Sequence, residues 1–252
     1  MSFDLNSIKK TTGLSRPPLV VIHGTSGVGK TTMASQAPAP VFIQTELGEG
    51  LLELNTFGLA GKYEDVIEAI DALRSSTHDW STLVVDSVDT LEPLIWKHLC
   101  AKNNWDTIES PGYGKGYTEA ALVWRELMRS LDALRTEKNM VIILIAHSEI
   151  KRFEDPINGS IDRYQIKLHN KSAAIVVEQA DVVLFAKHKV TMRKEDKGFG
   201  QVRNKGITTN ERIMCTTESP HFVAKNRYDL PPELPLGWSD FEKNVYQKGV
   251  TA

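Results

Sequence analysis

Cysteine is scarce in this sequence. The two that occur, Cys100 and Cys215, lie far apart, and neither sits in a Cys-x-x-Cys or Cys/His ligand spacing. A disulfide framework and a structural zinc site are therefore not expected, and the thiols read as buried side chains. Long apolar runs are missing too: none reaches the roughly 18 residues of a membrane span. The stretch from Met1 to Arg16 is polar and lacks the apolar centre of a secretory signal, so a cytoplasmic protein with no membrane partner is expected. Net charge is small, with 30 Lys+Arg against 32 Asp+Glu giving −2. Taken whole, that balance does not announce a nucleic-acid binder, but it is a cancellation. Between Lys187 and Arg227, ten basic residues stand against four acidic ones, a net of +6 that leaves −8 on the rest of the chain. Such a basic region can meet phosphates locally or dock the acidic surface of a second copy.

What is present is an ordinary globular composition over 252 residues, 41% hydrophobic and 25% charged. It suits one large α/β domain, or one domain with a modest extension. Short, nearly continuous Val/Ile-rich runs at Pro18 to His23, Val41 to Thr45, Thr82 to Asp86, Met140 to His147 and Asp181 to Ala186 read as strands covered on both faces. Helical stripes lie between them. Tyr63 to Arg74 aligns Val66, Ile67, Ile70 and Leu73, and Glu119 to Leu134 aligns Leu122, Val123, Leu127, Leu131 and Leu134. Parallel strands joined by crossover helices follow. Two stretches, Asn103 to Tyr117 and Ile150 to Ser172, read as long loops of the kind that carry function. From Lys187 to Thr217 the pattern is that of a β-hairpin with a glycine-rich tip near Gly198 to Gly206. Pro231, Pro232 and Pro235 then lead to a short helix around Ser239 to Tyr246. The expected organisation is an N-terminal extension over 1–16, a main α/β domain over 17–235 and a helical tail over 236–252.

The sharpest motif is Gly24-Thr25-Ser26-Gly27-Val28-Gly29-Lys30-Thr31, a full G-x-x-x-x-G-K-[ST] placed after a strand and before a helix-compatible Thr31 to Gln36. Glycines let the backbone N–H groups turn inward around phosphates. Lys30 is the cation for the β- and γ-phosphates, Thr31 offers its hydroxyl to Mg²⁺, and Thr32 completes the ATP-binding set. Such a site needs an acidic residue at the end of a second buried strand, and Leu83-Val84-Val85-Asp86 supplies it. Asp86 is assigned to the metal, through water. Asp89 competes, but its place before Thr90-Leu91-Glu92 suits a helix N-cap. ATP and Mg²⁺ are the cofactors that follow. GTP is disfavoured because neither Asn170-Lys171 nor Asn204-Lys205 continues into the aspartate of a guanine-reading element. Asp162-Arg163-Tyr164, similar to a nucleoside monophosphate kinase motif, follows a turn rather than a buried strand.

Three further segments resemble the RecA-like branch of P-loop ATPases. Val41-Phe42-Ile43-Gln44-Thr45-Glu46 is similar to the strand ending in the glutamate that orients the attacking water, a role that falls on Glu46 with Glu49 close by. Ile142-Ile143-Leu144-Ile145-Ala146-His147 resembles the sensor strand, with His147 where bacterial RecA carries glutamine. His221 to Arg227 resembles the strand that carries a Lys/Arg pair, here Lys225 and Arg227, into a neighbouring subunit's ATP site. Over roughly 17–235 the chain resembles phage-encoded RecA-like proteins of the minimal recombinase or single-strand-annealing type. The resemblance implies a RecA-like P-loop core with a mostly parallel sheet flanked by helices, to which the C-terminal β-hairpin region is added. Catalysis would rest on Glu46, Lys30 and His147.

In such proteins the two long loops meet DNA. The first offers Tyr113, Lys115 and Tyr117 among glycines, able to stack on bases and touch phosphates without reading sequence. The second offers Lys151, Arg152, Arg163, Lys167 and Lys171, nearly cancelled by Glu149, Glu154, Asp155 and Asp162. The expectation is a DNA-dependent ATPase on single-stranded DNA, assembled as a homo-oligomer and able to work with a single-strand-binding or annealing protein. Two alternatives stay open: an ATP-switched loader or scaffold with a protein partner, and a ring helicase-type motor.

Overall fold

The computed structural model describes residue 8 and residues 16–48, 50–156, 159–196 and 202–246, with the side chains of 192–208 outside the description. In chain order the elements are β1 (Leu19–Gly24), α1 (Lys30–Ser35), β2 (Pro40–Gln44), β3 (Thr56–Leu59), α2 (Tyr63–Ser75), β4 (Thr82–Asp86), α3 (Val88–Asn103) and α4 (Lys115–Glu137). They continue with β5 (Val141–Asp155), β6 (Gly159–Ile166), α5 (Asn170–Gln179), β7 (Val182–Asp196), β8 (Val202–Cys215), β9 (Lys225–Asn226), β10 (Glu233–Pro235) and α6 (Trp238–Tyr246). The strands run in the order β10-β8-β7-β1-β5-β4-β2-β3, with β6 added to β5 and β9 to β7. From β3 to β7 the pairs are parallel; β8 and β10 close that edge antiparallel.

The continuous apolar strands follow from two covered faces. Leu19, Val21, Ile43, Leu83, Val85, Ile142 and Leu144 join one core cluster with Val66 and Ile70 of α2, Leu91 and Ile95 of α3, and Trp124 and Leu131 of α4. Their strand neighbours Val20, Ile22, Phe42, Val84 and Ile143 join the opposite cluster with Met33 and Ala34 of α1 and Phe241 and Val245 of α6. Period-two alternation puts successive side chains into different cores, so neither face has reason to be polar. Among the described residues no helix is long and apolar enough to cross a membrane.

A buried ion pair fastens the layers. Arg135 of α4, 2% exposed, donates Nε to the carbonyl of Pro17 at 2.8 Å and a second nitrogen to Asp132 at 2.9 Å. Its remaining arm pairs with Asp181, whose Oδ2 also accepts the amide of Leu19 at 3.0 Å. One guanidinium thereby ties α4 to the residues just ahead of β1 and β7.

Two sequence expectations need correction. Ile150 to Ser172 is not a loop: β5 runs on to Asp155 and pairs antiparallel with β6 from Ser148↔Ile166 to Asp155↔Gly159, followed by α5. The alternation of partly buried and exposed residues along this ribbon is a two-stranded, half-solvated pattern, which its charges disguised as loop. In Asn103 to Tyr117 the loop ends early, because Gly114 at φ 67° caps α4 and puts Lys115 and Tyr117 in its first turn. The hairpin of β7 and β8 is present, while its tip at 197–201 lies outside the described residues.

Two stability predictions follow from buried charge and its absence. Removing the guanidinium leaves the Asp181 carboxylate buried with fewer partners, so Arg135→Ala is expected to cost about 3–5 kcal/mol, measured by urea unfolding; an unchanged midpoint would contradict the role. His23 of β1 is fully buried between Ser148 Oγ (2.9 Å) and the Val223 carbonyl (2.7 Å), and burial pushes its pKa from 6.5 down to about 4. The unfolded imidazole takes up a proton before the folded one does. That contribution is therefore intact above pH 6.5 and is lost as pH falls toward 4. Unfolding free energy should drop by about 3 kcal/mol across the window, and by clearly less in His23→Asn.

Candidate functional site

The site forms where β1 and β4 end on either side of β5. Their register sets Gly24 opposite His147 and Asp86 opposite Ile145, and β2 brings Gln44 opposite Asp86. Here the chain leaves β1 as the glycine loop. A Cβ on Gly24 would overlap the carbonyl oxygen of Ala186 on β7, so this position needs glycine for close strand approach. Gly29 caps α1 at φ 104°, a conformation side-chain-bearing residues avoid. An open cavity of about 350 Å³ lies above the loop, walled by Gly27, Gly29, Lys30, Thr31, Glu46 and His147 among others.

The cavity lining carries charges of both signs. Lys30, 6% exposed, places Nζ 3.2 Å from the Gly24 carbonyl and 3.0 Å from that of Thr25. Burial holds its pKa below the ordinary value, opposed by Asp86, Asp89 and Glu46. Thr31 donates its hydroxyl to Asp86 Oδ2 at 2.8 Å. Burial raises the Asp86 pKa, with the Thr31 bond pulling the other way. A hydroxyl and a carboxylate in contact beside a phosphate loop fit Mg²⁺, which keeps several waters and takes few protein ligands. Among the described residues no group of three or more His, Cys, Asp or Glu could hold a metal, so a cation here would depend on phosphate oxygens for the rest of its shell. When bound, it would neutralise phosphate charge; Thr31 and Asp86 would hold it.

Asp89 is not the N-cap. Ser87 caps α3, and the Asp86–Ser87 peptide bond is cis. Asp89 instead turns its carboxylate to β5, where Oδ1 accepts the His147 amide at 2.9 Å and Oδ2 meets His147 Nδ1 at 3.0 Å. That bond raises the His147 pKa, against burial. Asp89 is buried, which by itself would raise its pKa, but the bonds from His147 prevail and hold it below the ordinary carboxylate value. The same nitrogen, His147 Nδ1, is 3.8 Å from Glu46 Oε1. Glu46, at the cavity mouth, is thus within reach of both the phosphate region and the histidine. Glu49 lies outside the described residues.

The remaining candidates are distributed unequally. Tyr117 stacks on His169, ring centroids 4.2 Å apart, with Trp96 at its edge, and Lys151 lines the same cavity, as do Asp89 and Lys167. Tyr113 is fully exposed at the preceding turn and Lys115 is exposed one helical residue on. Arg152 is bound to Ser160 and near Glu154 on the ribbon, away from that cavity. Lys225 and Arg227 lie at the far end of the sheet from the loop, since β9 pairs with the start of β7. Lys225 donates to the carbonyls of Val177 and Glu178, and Arg227 pairs with Asp181. Sequence reasoning passed over Gln44 and Arg212, which line the nucleotide cavity. Gln44 was legible as the last residue of an apolar strand, whereas Arg212 arrives through hairpin register that no motif announces.

The Asp89 contact predicts a titration. The His147 imidazole should titrate above 6.5 in the wild type. In Asp89→Asn it should titrate lower, because the acceptor charge that favours the imidazolium is gone. Histidine NMR across pH reads both; equal midpoints would contradict the pairing.

No curated protein matches the chain. The family model for an AAA domain, AAA_24, matches residues 16–228, from ahead of β1 to beyond β9. With its phosphate loop, its Thr31–Asp86 contact and this match over most of its length, the chain belongs to the AAA_24 family of AAA domains and is a P-loop ATPase by family.

Proposed function

We propose that this ATPase is RecA-like, binds single-stranded DNA and acts in recombination or annealing as a homo-oligomer, hydrolysing ATP with Mg²⁺. One observation carries the DNA half of the reading: Asp89, in the wall of the aromatic cavity, is bonded to His147 in the wall of the nucleotide cavity. Its carboxylate fixes His147 at the nucleotide cavity and also lines the aromatic cavity of Tyr117, Trp96, His169, Lys151 and Lys167. Flat aromatic faces next to lysines suit unpaired bases and their phosphates without sequence preference. The insertion of β5 between β1 and β4 supports the RecA-like assignment, because it sets His147 between the phosphate loop and the acidic strand end.

In the proposed reaction Lys30 binds the phosphate chain, and Glu46 orients a water for in-line attack on the γ-phosphate. His147, fixed by Asp89, sits where a change in phosphate occupancy alters what it can bond. The DNA contacts are Tyr117 and Lys151 in the cavity, with Tyr113 and Lys115 on the adjacent turn and Arg152 on the ribbon. Lys225 and Arg227 cannot serve their own phosphate loop from the far end of the sheet. Their role in trans requires them to exchange the Val177 and Glu178 carbonyls for a neighbour's nucleotide.

The ATPase rate with and without a homopolymeric DNA strand tests the function. Stimulation is expected, and Lys30→Ala should abolish turnover with the fold intact. Tyr117→Ala should weaken DNA binding by about five- to hundred-fold, the worth of one stacked base, while basal turnover persists. A rate indifferent to DNA at every salt concentration would favour a loader or scaffold with a protein partner.

A further inference from the structure

The nucleotide cavity contains a second cation from an unexpected part of the chain. Arg212 on β8 pairs with His188 of β7, two residues past the Ala186↔Met214 pair, while Ala186 pairs in turn with Gly24 of β1. Side chains two apart on a strand share a face. Met214 is buried with Val28, Met33 and Ala34 on the α1 side of the sheet, so Arg212 projects from that side, beyond the strand ends, beside the phosphate loop. Its head group is close to the backbone there: a Cβ on Gly29 would lie 2.9 Å from a guanidinium nitrogen of Arg212 and 3.7 Å from its Cδ. The backbone behind it is pinned, with the Leu236 amide donating to the Arg212 carbonyl at 3.0 Å.

Nearby acids are otherwise engaged. Glu211 pairs with Lys189 at 2.9 Å, and Glu233 with Lys187 at 3.9 Å. Among the described residues, no hydrogen bond or ion pair occupies the Arg212 guanidinium. Lys30 and Arg212 are the Lys and Arg side chains lining the cavity. Lys30 reaches it from the loop itself, and Arg212 from β8, beside Gly29. A planar fork of donors is the side chain best matched to a phosphate group.

Resting on the ATPase reading above, we propose that Arg212 binds the phosphate chain of the nucleotide held by its own subunit. The phosphate site then has its second cation in cis, through the β7–β8 hairpin. Gly29 is glycine on this view for a further reason, since any larger residue would displace the guanidinium as well as strain the loop.

Calorimetric titration of Mg·ATP into the full chain tests this. Arg212→Ala is expected to weaken binding about ten- to hundred-fold, the range for a charge-assisted hydrogen bond to phosphate. Arg212→Lys should fall between, keeping charge without the fork. Thermal melting of both variants without nucleotide should match the wild type, since Arg212 is exposed. If Lys30→Ala abolishes binding while Arg212→Ala stays within about two-fold of wild type, this assignment alone is overturned. A wild type that binds no Mg·ATP overturns the ATPase reading with it. Mixing Arg212→Ala with Lys30→Ala chains should restore no turnover; recovery would mean that the arginine serves a neighbour's site and would overturn the cis assignment.

Discussion

Everything at this site depends on one strand standing between two others. Because β5 separates β1 from β4 in register, the phosphate loop, His147 and Asp86 emerge on the same edge of the sheet. Hydrogen bonds set their heights, not loop conformation. Thr31 then reaches Asp86 at 2.8 Å across a gap that the parallel ladder has already fixed. The two hydrophobic faces that bury this ladder supply the rigidity; a chemical site mounted on buried strands inherits their precision.

Within that frame the charges oppose one another unevenly. Burial disfavours the charged form of Lys30 and of Asp86 alike, and the Lys30 ammonium is left on two backbone carbonyls, not on a carboxylate. A phosphate chain with its cation would give each a full partner, so ligand binding exchanges poor pairings for good ones. Asp89 differs because His147 satisfies it already. On the reading proposed here, one carboxylate serves the ligand and the other the protein, although the two lie three residues apart.

The parallel strands were legible because burial on both faces leaves no alternative to a continuous Val/Ile run, and the phosphate loop because its glycines and lysine occur in fixed order. Segments whose partners are distant in sequence were not. The β5–β6 ribbon is charged on the residues that alternate with its packed ones, so it resembles loop until Ser148 meets Ile166. α3 carries a proline and a weak apolar stripe, and owes its place to Leu91 and Ile95 packing beneath β4 and β5. Asp89 looked like a cap because local sequence cannot reveal a histidine 58 residues away. Arg212 has no local signature at all.

The segmental charge of the sequence acquires a physical meaning here. The described cations of the basic stretch from Lys187 to Arg227 do not form one patch, because the sheet sends them to different ends. Lys225 and Arg227 go to the start of β7, where carbonyls of α5 and Asp181 absorb them. Lys187 and Lys189 pair with Glu233 and Glu211 along the hairpin edge. Arg212 alone among these is turned into the nucleotide cavity. Net charge by segment therefore overstates what any one anion would meet, and strand direction decides which of these cations a phosphate could reach. Among the described side chains of the hairpin, Arg212 is the cation proposed for the ATP site, and the DNA surface proposed here draws its cations from β5, from α4 and from Lys167 just past β6.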